Sequence, residues 1–283
     1  MYDLGFHCHG VDHFEEVIIS NGLKRGEFYN FPPQEVPELV RKIKHYNLAA
    51  SIHAPLTRPS WYPIPPTWSF LCDLEEEKRE LSLRMIEETL KQALELGTEY
   101  VVVHFPSPPS TDVGGVSPSR LREIAWQSAS HLATLSQKFG VPIHLEGFGP
   151  SPLLSVEFLA EVIGCFTDLR YCFDTGHMHI AALRDGFDLY QFAQALAPYI
   201  GSIHLWNNRS IEDYHNFGHI PVHPSQRPEE GWVDIARILR LLIPGGPSCP
   251  IIFESGVRYP QPLGNYDFRD GVRWVKELAA TLF

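Results

Sequence analysis

The sequence predicts an α/β protein, a single closed (β/α)8 TIM barrel spanning residues 1–283. Three observations predict it. Short apolar runs alternate with stretches of helical periodicity, the order that builds a parallel sheet. Eight such runs are present, enough for the sheet to close on itself. Six of them end on a histidine or carboxylate: LAASIHA at His53, YVVVHF at His104, VPIHLE at Glu146, LRYCFD at Asp174, GSIHLW at His204 and PIIFE at Glu254. In a barrel of this kind the carboxyl ends of the strands meet at one mouth, where the chemistry is done.

The elements follow in order. LGFHC (4–8) reads as the first strand and brings His7 and His9 close to its end. GEFYNF (26–31) is an aromatic-rich second strand, stopped by Pro32 and Pro33, which cannot continue a ladder. EVPELVRKIKHY places Val36, Leu39, Val40 and Ile43 on one helical stripe before the third strand. After His53 comes a proline-rich connection (55–72) that is too long for a turn and is expected to cover the mouth. The next helix, LEEEKRELSLRMIEETLKQALELG, has acids in its first turn and Gly97 at its end, as the helix dipole and a left-handed C-cap favour. Its apolar side carries Leu81, Met85, Leu90 and Leu94. SPSRLREIAWQSASHLATLSQKFG follows the fourth strand and closes on Gly140 in the same way. SVEFLAEVIG, DLYQFAQALAPY, WVDIARILRLL and FRDGVRWVKELAATL supply the remaining helices. A second long connection, WNNRSIEDYHNFGHIPVHPSQRPEEGW, leaves the seventh strand after His204.

Composition narrows the function. At 44% hydrophobic and 20% charged residues the chain is an ordinary globular one, and its formal net charge of −11 encodes no global grip on nucleic acid. The five cysteines (Cys8, Cys72, Cys165, Cys172, Cys249) are odd in number and form no CxxC, which argues against a disulfide scaffold or a zinc knuckle. MYDLGFHCHG has neither a basic nor an apolar leader region, and no run is long enough to span a bilayer. The expectation is a cytoplasmic protein with no membrane association and no evident protein partner.

Three further donors join the six strand ends. His177 follows Asp174 by three residues, and Asp213 and His215 stand two apart, so that in an extended segment they would point the same way. Imidazole mixed with carboxylate suits a divalent metal, zinc first and manganese as an alternative. Four buried charges converging without a cation would be costly. One ion cannot use nine ligands, so a multinuclear site of two or three ions is expected.

The pattern resembles the endonuclease IV (AP endonuclease family 2) branch of the xylose isomerase-like barrels. The resemblance runs through His53, His104, Glu146, DTGH (174–177), HLW (204–206), DYH (213–215) and Glu254. It implies one ion on His53, His104 and Glu146. A second would share Glu146 and add Asp174, His204 and Glu254, and a third would take His177, Asp213 and His215. It further implies phosphoester hydrolysis by a metal-activated hydroxide, with damaged DNA as a possible partner and Glu146 and Glu254 as catalytic residues. The loops depart from that branch. HCHGVDH replaces an HVSAAGG-like segment, EGFG an ENTAGQG-like one, and HLWNNR an HLNDSK-like one. The run from Asp213 to Trp232 carries an insertion.

The sequence is similar as well to the sugar isomerase and epimerase branch of the same barrels, through HAP (53–55) and IIFE (251–254). That resemblance implies a single manganese, magnesium or cobalt ion on Glu146, Asp174, His204 and Glu254. Glu146 and Glu254 would then be the acid/base pair acting on a small sugar or sugar phosphate. Substrate contacts are expected from His7 at the mouth, from Trp206, and from Arg209, whose fork can grip a phosphate. The full nine-donor set makes the phosphoester hydrolase the first expectation and the sugar enzyme the second.

Overall fold

A computed structural model describes residues 3–63, 69–107, 115–243 and 249–282. Eight parallel strands lie in sequence order, β1 (Leu4–Cys8), β2 (Arg25–Phe28), β3 (Ala49–His53), β4 (Val101–His104), β5 (Ile143–Glu146), β6 (Leu169–Asp174), β7 (Ile200–Leu205) and β8 (Ile251–Phe253). β8 pairs with β1 and closes the barrel.

Successive strand residues point to opposite faces, so each strand divides its side chains between two environments. Ile52, Val101, Val103, Ile143, Leu145, Phe173, Ile203, Leu205 and Ile251 are buried in the main core between barrel and helices. The alternate positions fill the barrel interior, and they are mostly polar: Glu27, Ser51, His53, His144, Glu146, Asp174, Ser202 and His204 are all buried. Tyr100, Val102 and Cys172 form a small apolar cluster apart from the main core. Bulky aliphatic layers are the usual filling of such a barrel; here they are displaced by groups that need partners. At the amino-terminal end those partners are internal. Arg25, 1% exposed, is ion-paired with Asp3 and Glu99, and Tyr100 stacks on His144 at 4.1 Å.

The helices are α1 (Val11–Phe14, running into a π turn, Glu15–Ile19), α2 (Val36–Tyr46), α3 (Glu76–Leu96), α4 (Pro118–Phe139) and α5 (Val156–Cys165). They continue as α6 (Thr175–Asp185), α7 (Leu189–Leu196), α8 (Ile211–Phe217), α9 (Ile235–Leu242) and α10 (Phe268–Leu282). Gly97 and Gly140 end α3 and α4 with positive φ, as expected from the sequence.

Two local expectations are corrected, and one helix is added to those read from the sequence. β2 stops at Phe28 rather than Phe31, because Asn30 turns the chain with φ 47°. The stretch after Asp174 is helical, α6. The Asp213–His215 segment is not extended but lies in α8, where the Ser210 hydroxyl accepts a hydrogen bond from the Asp213 N–H at 3.0 Å.

Of the long loop expected over the mouth, residues 64–68 lie outside the described residues. The described part is packed down: Tyr62 is buried with its hydroxyl 3.0 Å from that of Ser82, and Ser69 donates to the His104 carbonyl at 2.7 Å. Among the described residues no helix is long and apolar enough to cross a membrane.

Candidate metal centre

Five of the donors sit at or near the carboxyl ends of β3 to β7, and Glu254 directly follows β8. Strand register sets them side by side: His104 pairs with Glu146, and Asp174 with His204. The ligand atoms of Glu146, Asp174, His204 and Glu254 all lie within 4.8 Å of one another. So do those of His53, His104 and Glu146, and those of His53, His204 and Glu254. His204 is the hub. Its Nδ1 is 2.7 Å from Glu254 Oε2, 3.4 Å from Glu146 Oε2 and 4.0 Å from Asp174 Oδ2. His53 Nε2 and His104 Nε2 approach Glu146 Oε2 at 3.1 and 3.5 Å.

Whether this set fits a cation is decided by what its atoms lack. Glu146 Oε1, Glu254 Oε2 and His204 Nδ1 are buried without a directed hydrogen-bond partner among the described residues, although such groups are normally satisfied. Three carboxylates this close repel one another, and one proton or cation must relieve them. Burial drives the Glu146 carboxyl up, but His204 and His104 outweigh it and hold it well below the usual range. Glu254 is likewise held well below, by His204 against burial. Asp174 is pushed well above its ordinary value, by burial first and then by Glu146 and Glu254. Burial pulls His204 down, but Cys172 and the carboxylates together outweigh it and raise the ring well above its ordinary value. The crowding that pushes Asp174 and His204 upward is a demand for positive charge at this point. A divalent cation supplies the same charge through ligands that must be deprotonated to bind it. The donors present fit such an ion, and the mixture of oxygen and nitrogen does not single one out.

Asp174 is held from two sides: Oδ1 accepts from the His177 N–H at 2.5 Å and Oδ2 from Trp206 Nε1 at 2.7 Å. Trp206, expected to touch substrate, is instead fully buried, stacked on His219 at 4.0 Å and bonded to this carboxylate.

The third ligand trio does not assemble. Among the described residues, no group of close donors includes His177, Asp213 or His215. His177 Nε2 comes within 3.9 Å of Glu146 Oε1, packed at its ring faces and edges by Phe148, Trp206 and His219. Burial, then His219, lowers its pKa to about 3. Residues two apart on a helix diverge by about 200°, so Asp213 and His215 face different ways. Asp213 accepts both Arg209 Nε (2.7 Å) and Nη2 (3.2 Å), and the guanidinium also lies over Trp232. That pairing engages the fork expected to grip phosphate. His215 is exposed beside a cavity of about 370 Å3 that His177, Met178 and Tyr214 also line.

His7 does reach the mouth. It stacks on Tyr29 at 5.3 Å, its Nδ1 is 3.9 Å from Glu254 Oε1, and burial lowers its pKa to about 4, leaving it neutral near pH 7. Sequence reasoning missed Glu27. It is 0% exposed on β2, with Oε1 2.7 Å from His204 Nε2 and Oε2 accepting from the Ser51 hydroxyl at 3.0 Å. The available signal was an acid inside an apolar strand, a place where carboxylates occur only with partners.

A family model, described as xylose isomerase-like TIM barrel, matches residues 7–278. No curated protein sequence matches the chain closely enough to count. Among solved structures, it is similar to a D-tagatose 3-epimerase-like protein at 19% identity and TM-score 0.73, covering 100% of this chain and 98% of that one. It is similar to the D-psicose 3-epimerase of Clostridium cellulolyticum, at 13% identity and TM-score 0.69, over 100% and 99% of the two chains. A Thermus thermophilus protein soaked with ZnCl2 is similar at 21% identity and TM-score 0.66, over 99% and 98%. With the matched span covering nearly all of a closed eight-stranded barrel, the chain belongs to the xylose isomerase-like TIM barrel family.

Proposed function

We propose that this protein is a divalent-metal-dependent epimerase or isomerase of small sugars or sugar derivatives. The observation that carries this reading is the assembly of Glu146, Asp174, His204 and Glu254 into one buried set, while His177, Asp213 and His215 join no such group among the described residues. The similarity of the fold to sugar epimerases supports it. Phosphoester hydrolysis, the first expectation from the sequence, has weaker support: its third ion lacks a gathered ligand set, and Arg209 is paired with Asp213.

Glu146, Asp174, His204 and Glu254 would hold the ion. When bound, it would supply Lewis-acid polarisation of a substrate carbonyl and the adjoining hydroxyl. The remaining work falls to side chains. One of Glu146 and Glu254 removes the proton from the carbon beside the carbonyl, and the electron pair passes to the carbonyl oxygen. The other, having taken up a proton from solvent, returns it to the opposite face of that carbon for epimerisation, and the first gives its proton back to solvent. Neutral His7, with His53 and His104, can bond substrate hydroxyls around the mouth. Asp174 and Trp206 are both fully buried, so that side of the site is closed to bulk solvent.

The test is incubation of the manganese-loaded protein with ketohexoses in D2O. The expected result is an epimer labelled with deuterium at the inverted carbon, lost in Glu254→Gln. Cleavage of abasic-site DNA with no label entering any sugar would reverse the reading.

A further inference from the structure

We infer that Glu27 is a positioning residue that fixes the tautomer of His204, holding the proton on Nε2 so that Nδ1 is the nitrogen offered to the ion. The inference rests on the metal-dependent reading above and adds a residue that takes no part in ligation.

The two nitrogens of His204 face different surroundings. Nδ1 looks toward Glu254, Glu146 and Asp174, at 2.7, 3.4 and 4.0 Å. Nε2 has Glu27 Oε1 at 2.7 Å, off the axis of a directed hydrogen bond. Among the described residues Glu27 Oε1 has no directed hydrogen-bond partner, whereas Oε2 is engaged by Ser51. Both residues are 0% exposed, so neither meets bulk solvent. β1 and β3, whose His7 and Ser51 pair in register with Glu27, hold its backbone on both sides. An acid at this depth without a donor would be costly, and the ring nitrogen within ion-pairing reach is His204 Nε2. A histidine that ligates through one nitrogen commonly donates its other N–H to a carboxylate, which fixes ring orientation and strengthens the ligand. Glu27 meets that description from β2, while His204 comes from β7 across the barrel.

The experiment reads metal binding and tautomer without substrate. Zinc is titrated into the metal-free protein, and nitrogen-15 spectra of histidine identify which His204 nitrogen keeps its hydrogen in the zinc form. A protein with Nε2 protonated and Nδ1 on the metal is expected. Glu27→Gln should weaken zinc binding about 10–100-fold and change the visible spectrum of the cobalt-substituted form, with Glu27→Asp recovering part of both. A His204 that keeps hydrogen on Nδ1 would overturn the inference, and so would a folded Glu27→Gln with unchanged affinity and cobalt spectrum. Should the variants fail to fold, the tautomer of the unaltered protein still decides. Failure of the unaltered protein to bind any divalent ion would instead overturn the metal-dependent reading itself.

Discussion

Glu254 and Glu146 carry the same side chain in different settings. Glu146 is fully enclosed beneath His53 and His104, whereas Glu254 keeps 9% of its surface open, next to His7. On the proposed reading, Glu254 would therefore be the carboxylate a substrate meets first. Glu254→Gln is expected to reduce turnover by at least about 10²–10⁴-fold, the usual contribution of a placed acid or base, in a steady-state epimerisation assay. His215→Ala, an exposed position that joins no donor group among the described residues, should leave kcat within about threefold, since on this reading it removes no interaction made in the transition state; a loss as large as that of Glu254→Gln would restore the three-ion expectation. His144 gives a pH prediction. Buried under Tyr100 with Nδ1 2.8 Å from the Ser202 hydroxyl, it is lowered from 6.5 to about 3, chiefly by burial. The unfolded chain takes up this proton first, so stability rises with pH between about 3 and 6.5 and is lost as pH falls through that window. The slope contributed is at most about 1.4 kcal/mol per pH unit. Denaturant titrations at pH 7, 5.5 and 4.5 should show a flatter dependence in His144→Asn; equal slopes would contradict this.

At the scale of elements, strands and helices differed in how plainly the sequence declared them. The strand-end donors His53, His104, Glu146, Asp174, His204 and Glu254 were legible because an ionisable group seldom closes an apolar run unless a partner awaits it there. α6 and α8 were not, for a shared reason. Both are short helices whose first turn holds groups also suited to ligation, so Asp174 and Ser210 read as site or loop residues while their side chains cap helices. Misreading α8 as extended is what joined Asp213 to His215. Trp206 misled in a similar way, because a tryptophan after a ligand histidine suggests a pocket wall, and only packing reveals that its ring lies on Gly176. A Cβ added at Gly176 would come within 2.1 Å of the Trp206 ring. Gly176→Ala should therefore destabilise the protein by about 1–3 kcal/mol, as overpacking does. It should also weaken metal binding by displacing the indole N–H from Asp174. Thermal melts with and without added manganese measure both, and an unchanged melting temperature would show that the α6–β7 contact is looser than described.

For the molecule as a whole, the barrel keeps its apolar core and its candidate site in different places. The apolar core between strands and helices is continuous, while the interior is given over to polar groups in two layers. The lower layer holds Arg25, ion-paired outward to Asp3 and Glu99, and His144, whose Nδ1 lies 2.8 Å from the Ser202 hydroxyl. The upper layer leaves Glu146, Glu254 and His204 with unpartnered atoms. An ion that binds only the folded barrel should raise its stability, by about 2.7 kcal/mol at a concentration a hundred times Kd. The closed eight-stranded fold was legible from periodicity alone, but Glu27 was not, since only closure brings β2 across from β7. The number of ions is the most direct test of the account. Metal-free protein equilibrated with manganese or zinc, freed of loose ion and analysed for metal should hold one tightly bound ion per chain, lost on substitution of Glu146 or Glu254. Three tightly bound ions that also require Asp213 and His215, or none at all, would contradict it.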